Sequence, residues 1–99
     1  MVMKTTKQMP RVIKDVIKER QRQDEKWGEQ NHNPFKYFAI LIEEVGEVGR
    51  ALCDGVDFKR KKVEFEDHKH YQNYREELIQ VAAVAVAMVE CLDRGKWCK

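Results

Sequence analysis

Apolar residues recur along this chain at spacings of three and four, the period of an amphipathic helix, in three separate stretches. The first runs from about Pro10 to Trp27, where Val12, Ile13, Val16 and Ile17 make a narrow apolar stripe among many charges. Pro10 suits a first helical turn, where its missing N–H has no partner to lose, and Gly28 supplies a stop. The second stretch runs from about Pro34 to Cys53, with Phe38, Leu41, Ile42, Val45, Val48 and Leu52 in helical register. Asn33 before Pro34 sets an N-cap residue ahead of a proline at the first helical position. Asp54-Gly55 marks the end, with a glycine free to turn left-handed. The third runs from about Tyr71 to Leu92, with Asn73 and Glu76 spaced as a capping box. Its Val84-Ala85-Val86-Ala87 alternation would suit a strand, but length, alanine content and the lack of turn residues select a helix. Gly95 and a lysine-rich tail end it.

From Leu78 onward the third helix is apolar on every face, so it must be covered on every side. Three helices do not supply that cover, and the pattern predicts an all-α bundle completed by homo-oligomerisation, as a dimer or a tetramer. The small Ala82, Ala83, Ala85 and Ala87 allow neighbouring backbones to come close. Residues 1–9 read as a flexible polar start. Residues 56–70 read as a charged connector, with the basic run Lys59 to Lys62 ahead of Glu64-Phe65-Glu66-Asp67.

A length of 99 residues implies one domain over residues 1–99. A domain of this size buries only about 60–65% of its unfolded surface, which also favours association. Hydrophobic residues at 42% and charged residues at 36% match a folded rather than a disordered chain. A net charge of +2 gives no field that would hold a nucleic-acid polymer or an anionic membrane. Cys53, Cys91 and Cys98 are odd in number and irregular in spacing, which fits reduced thiols better than a disulfide framework. The polar start lacks a signal-peptide core, and no apolar run spans a bilayer, so a cytoplasmic protein is expected.

The candidate chemistry lies in glutamates that share a line with apolar residues. Tyr37, Ile40, Glu44, Glu47 and Ala51 follow one another at spacings of three or four, which places two carboxylates on an inward stripe. Glu43 instead falls in line with Lys36, Ala39, Gly46 and Arg50, a solvated face. On the third helix Glu77 heads an inward line with Val81, Val84 and Met88. If the second and third helices pack antiparallel, Glu77 faces Glu44 and Glu47, and facing carboxylates are how helical bundles build metal sites. Oxygen donors alone suit a hard cation, Mg²⁺ or Mn²⁺, which holds phosphates and activates water. The plainer alternative is that Glu44 and Glu47 are ion-pair residues of a non-enzymatic helical interaction module.

Ile42-Glu43-Glu44-Val45-Gly46-Glu47-Val48, followed by Glu76-Glu77-Leu78-Ile79-Gln80, resembles the MazG-like all-alpha NTP pyrophosphohydrolases. That family carries Glu-x-x-Glu on one helix and Glu-x-x-Asp on a later one. Glu44 and Glu47 match the first pair, Glu77 matches the Glu of the second, and Gln80 stands where the family has Asp. Arg22 to Gly28 and Val81 to Ala87 carry the likeness further. The resemblance implies a MazG-like helical bundle, usually dimeric, that hydrolyses (d)NTP to (d)NMP and pyrophosphate. It places Mg²⁺ on Glu44, Glu47, Glu77 and Gln80, with the three glutamates catalytic. Glutamine coordinates only through a neutral carbonyl oxygen, so a catalytically weakened nucleotide-binding homologue is the alternative.

Other residues have candidate roles toward the substrate. Trp27 offers a face for stacking a base, Lys26 and Asn31 offer polar contacts, and Arg75 offers a phosphate contact. His68 and His70 match no closed zinc spacing. Gly46 in mid-helix implies close approach of another helix or of the substrate.

Overall fold

In a computed structural model of the chain, residues 5–55 and 68–97 are described, and every regular element among them is a helix. These are α1 (Met9–Trp27), α2 (Pro34–Gly55) and α3 (His68–Arg94). The boundary chemistry expected at Gly28 and Asn33 operates as such. Gly28 takes a φ of 73° and its N–H returns to the Asp24 carbonyl at 2.8 Å, closing α1 in a backbone region that side chains avoid. The Asn33 Oδ1 accepts the Lys36 N–H at 2.9 Å, satisfying one of the donors that α2 leaves unpaired at its start.

Other boundaries move. Met9 already belongs to α1, with its N–H donated to Thr6 Oγ1 at 3.1 Å. α2 continues through Asp54 and Gly55, two residues past the expected end at Cys53. α3 begins at His68, so His68 to His70 are helix rather than connector. Asn73 is therefore an exposed residue inside α3 and caps nothing. The basic run Lys59 to Lys62, the acidic stretch after it and residues 1–4 lie outside the described residues.

α3 packs against both α1 and α2, which make no close backbone approach to each other. The reason is visible in α3 itself, whose buried positions are Ala83, Val84, Ala87 and Cys91. Short side chains let a helix be approached from two sides. α2 lies antiparallel to α3: Tyr37, near its start, packs with Ala87 and Cys91 near the end of α3, flanked by Ile40 and Met88. α1 is tied to α3 by Asp15–Arg75 at 2.7 Å and Arg20–Glu90 at 2.8 Å. The loop between α1 and α2 is fastened to the end of α3. The Arg94 Nε and Nη2 donate to Asn31 Oδ1 and the Gln30 carbonyl, each at 3.1 Å. The Tyr37 hydroxyl donates to the same Gln30 carbonyl at 2.9 Å, and the Cys91 thiol to the His32 carbonyl at 3.6 Å.

One copy of the chain leaves much apolar surface open. Phe35, Phe38, Ile42 and Val45 form an exposed stripe along α2, and Leu78, Val86, Val89 and Leu92 are exposed on α3. No described residue lies within 4 Å of where a Cβ would stand at Gly46 or Gly49, so neither α1 nor α3 approaches α2 there. No helix among the described residues is long and apolar enough to cross a membrane.

Candidate active site in the cleft between the helices

Because α1 and α2 both lean on α3 without meeting, a cleft of about 260 Å³ opens between them. Val84, Ala87 and Gln80 of α3 form its floor. Tyr37, Ile40 and Glu44 of α2 form one wall. The other wall comes from α1 and the residues after it: Glu19, Arg22, Gln23, Lys26, Trp27 and Gln30.

The inward stripe expected on α2 is largely realised. Tyr37 and Ala51 are buried and Ile40 and Glu44 are half-buried. Glu47 departs from it and is exposed. At about 100° per residue, Glu47 lies about 80° round the helix from Tyr37, at the margin of the stripe. The solvated line Lys36, Ala39, Glu43, Gly46 and Arg50 is exposed throughout. On α3, Val84 is buried while Glu77, Gln80, Val81 and Met88 are half-buried.

Antiparallel packing brings Glu44 and Glu77 into each other's field. Burial raises the Glu44 carboxyl above the ordinary range, and the charges of Glu77, Glu43, Glu47 and Glu19 push it the same way. Burial likewise raises Glu77, followed by Glu47, Glu76 and Glu19. One oxygen of each, Glu44 Oε2 and Glu77 Oε2, is fully buried and accepts no hydrogen bond from the described residues. A buried carboxylate oxygen without a donor is costly and calls for a proton or a cation. Among the described residues, no three of His, Cys, Asp and Glu converge closely enough to hold a metal ion as they stand.

Glu19 is a member of this acidic group that the sequence reading passed over. It projects from α1 and is only 13% exposed. Its signal was present: Val12, Val16, Glu19 and Gln23 continue the apolar line of α1 at spacings of four, three and four. Surrounding charges in Lys18-Glu19-Arg20 masked it.

The remaining candidates separate. Lys26 and Trp27 stand together, with Lys26 Nζ 4.8 Å from the indole centroid. Asn31 is held by Arg94 and is not part of the cleft lining. Arg75 is engaged by Asp15 and lines a second groove, of about 410 Å³, between α1 and α3. Glu19, Arg22 and Gln80 line both grooves, so Gln80 stands at their junction.

Comparison with protein-family models, curated proteins and solved structures gave no match to this chain.

Proposed function

We propose that the chain is a Mg²⁺-dependent nucleoside triphosphate pyrophosphohydrolase that converts (d)NTP and water to (d)NMP and pyrophosphate. The observation that carries this reading is the pair of fully buried, unpartnered oxygens on Glu44 and Glu77. Two such oxygens from opposed helices suit a hard divalent cation, and the likeness of the Glu-x-x-Glu and Glu-x-x-Gln segments to MazG-like enzymes points the same way. Glu44, Glu77 and Glu47 would hold Mg²⁺, or Mn²⁺, through carboxylate oxygens, and Gln80 through its carbonyl. When bound, the cation supplies charge neutralisation at the phosphates and acidifies a coordinated water.

The chain's own residues do the rest. Glu47, open to solvent beside the buried pair, accepts the proton of the attacking water. The new oxygen–phosphorus bond forms as the bond to the pyrophosphate leaving group breaks, a displacement that needs positioning and charge stabilisation rather than a protein nucleophile. Trp27 stacks the base at the far end of the cleft, and Lys26 follows the phosphates. Arg75 reaches them only by leaving Asp15. Incubation with each NTP and dNTP and Mg²⁺ is expected to release monophosphate and pyrophosphate in equal amounts. Gln80 and the unconverged donors favour a second reading, a homologue that binds nucleotide and turns it over slowly or not at all. Nucleotide-dependent thermal stabilisation without product would select it.

The same reading includes a cytoplasmic homodimer or homotetramer that engages neither membrane nor nucleic-acid polymer. Exposure of Phe35, Phe38, Ile42 and Val45 along one line of α2 supports it, since contiguous apolar stripes are normally covered. Sedimentation is expected to show a dimer or larger species, and Ile42→Glu is expected to shift it toward monomer. A wild-type monomer at micromolar concentration would overturn the assembly.

A further inference from the structure

Arg22 differs from Arg20, Arg75 and Arg94 in what its ion pair serves. Arg20, Arg75 and Arg94 reach across to another helix or to the loop between α1 and α2. Their guanidinium groups hold the fold. Among the described residues Arg22 pairs only within its own helix, with Glu19: Nε donates to Oε1 at 2.9 Å and Nη2 to Oε2 at 2.7 Å. The pair is lopsided, because the carboxylate is 13% exposed and the guanidinium 55% exposed. A carboxylate set into the wall thus holds a guanidinium out over the cleft in a two-point grip. Of the five N–H bonds of a guanidinium, this grip uses two and leaves three for an incoming acceptor.

Position adds to this. Arg22 lines both grooves beside Gln80, and the Glu44 carboxylate acts on its charge from across the cleft. Lys26 lies one turn further along the same face of α1, with Trp27 beside it. Along α1 the wall therefore runs from acid (Glu19) through two cations (Arg22, Lys26) to an aromatic ring (Trp27). A nucleoside triphosphate has the same order, from a polyanion near the acidic residues to a base at the other end.

We infer that Arg22 is the residue that grips the phosphate chain of the nucleotide, with Glu19 as its positioning residue. This rests on the nucleotide reading above and assigns the phosphate contact to Arg22 in place of Arg75. The planar fork, rather than charge alone, gives the grip its direction. No tertiary bond among the described residues depends on Arg22, so substitutions there are expected to leave the fold intact, which thermal denaturation checks.

The test measures binding rather than turnover. The four α,β-imido deoxynucleoside triphosphates and their monophosphates are titrated calorimetrically with Mg²⁺ into the full chain. Arg22→Gln is expected to weaken the best-bound triphosphate about 10-fold or more, while leaving monophosphate affinity nearly unchanged. Arg22→Lys is expected to recover only part of the loss. Glu19→Gln alone is expected to weaken triphosphate binding several-fold, and to add nothing in the Arg22→Gln background. Unchanged triphosphate affinity in Arg22→Gln, with binding still lost in Glu44→Gln, overturns the Arg22 role and spares the nucleotide reading. Tighter binding in Glu19→Gln overturns the positioning role of Glu19. Absence of triphosphate binding by the wild-type chain overturns both the inference and the reading beneath it.

Discussion

Glu44→Gln is expected to reduce triphosphate hydrolysis by on the order of 100-fold or more, the scale of losing one preorganised electrostatic group, while making the metal-free protein more stable at neutral pH. Both effects come from the same oxygen. Glu44 Oε2 is buried without a donor, and its carboxyl titrates above the ordinary range because of burial and then its acidic neighbours. An acid whose folded-state pKa is raised keeps its proton in the fold after the unfolded chain has lost it. Between the two values the folded state binds more protons, so stability falls as pH climbs through that window and stays low above it. Metal-free wild-type protein is therefore expected to melt at a lower temperature at pH 8 than at pH 5. Asp15 runs the other way, since its bond to Arg75 lowers it and its contribution is lost on acidification below the ordinary carboxylate range. Glutamine at position 44 removes one ionisation and shortens the decline above pH 5. Added Mg²⁺ should stabilise the wild type and do little for the variant. Turnover unaffected by the substitution would rule out the proposed site. A melting temperature that does not fall with pH would show that Glu44 and Glu77 are not the strained pair.

Tyr37→Ala is expected to destabilise the chain by about 3–5 kcal/mol, the usual range for truncating a large aromatic in a core. Domains of this kind have total stabilities of about 5–15 kcal/mol, so the variant should be partly unfolded at 37 °C. Tyr37 is buried at 4% exposure and packs with Ala87 and Cys91, at the contact that sets α2 against α3. Its hydroxyl also fastens the loop at Gln30, and His32 meets its ring edge-on at 4.9 Å between centroids. Tyr37→Phe retains the ring and loses the hydroxyl bond, for about 1 kcal/mol. Urea denaturation followed by circular dichroism separates the two. Equal, small losses in both variants would mean that the ring is not what joins α2 to α3. Because Tyr37 also lines the cleft, Tyr37→Phe with full activity would place the role of the hydroxyl in fastening the loop rather than in substrate contact.

Local chemistry explains why the helices were legible. Asn33 and Pro34 act within one turn of each other, and Gly28 acts through its own φ, so both signals survive any tertiary arrangement. The exposed line through Glu43 was legible because Lys36 and Arg50 state its polarity outright. Asn73 misled because its spacing to Glu76 imitates a cap, while α3 begins five residues earlier, at His68. Glu47 lay at the edge of a stripe whose width the sequence does not state. Glu19 was hidden because an acid among charges looks solvated until the helix beside it is known. Asn31 and Arg75 were read as substrate contacts, yet each has a structural partner distant in sequence, Arg94 and Asp15.

By itself the sequence determined the three helices, the two termini chemically marked at Gly28 and Asn33, and the alignment of Glu44 with the apolar face of α2. These follow from periodicity and from capping over a few residues. Only the tertiary structure decided that α3 lies between its neighbours, that α1 and α2 stay apart to leave a cleft, that Glu19 and Glu44 line it, and that Glu19 acts on both Glu44 and Glu77. The reason is physical: which side chains lose water depends on what packs against them, and here that is set by the small residues of α3, approached from two sides at once.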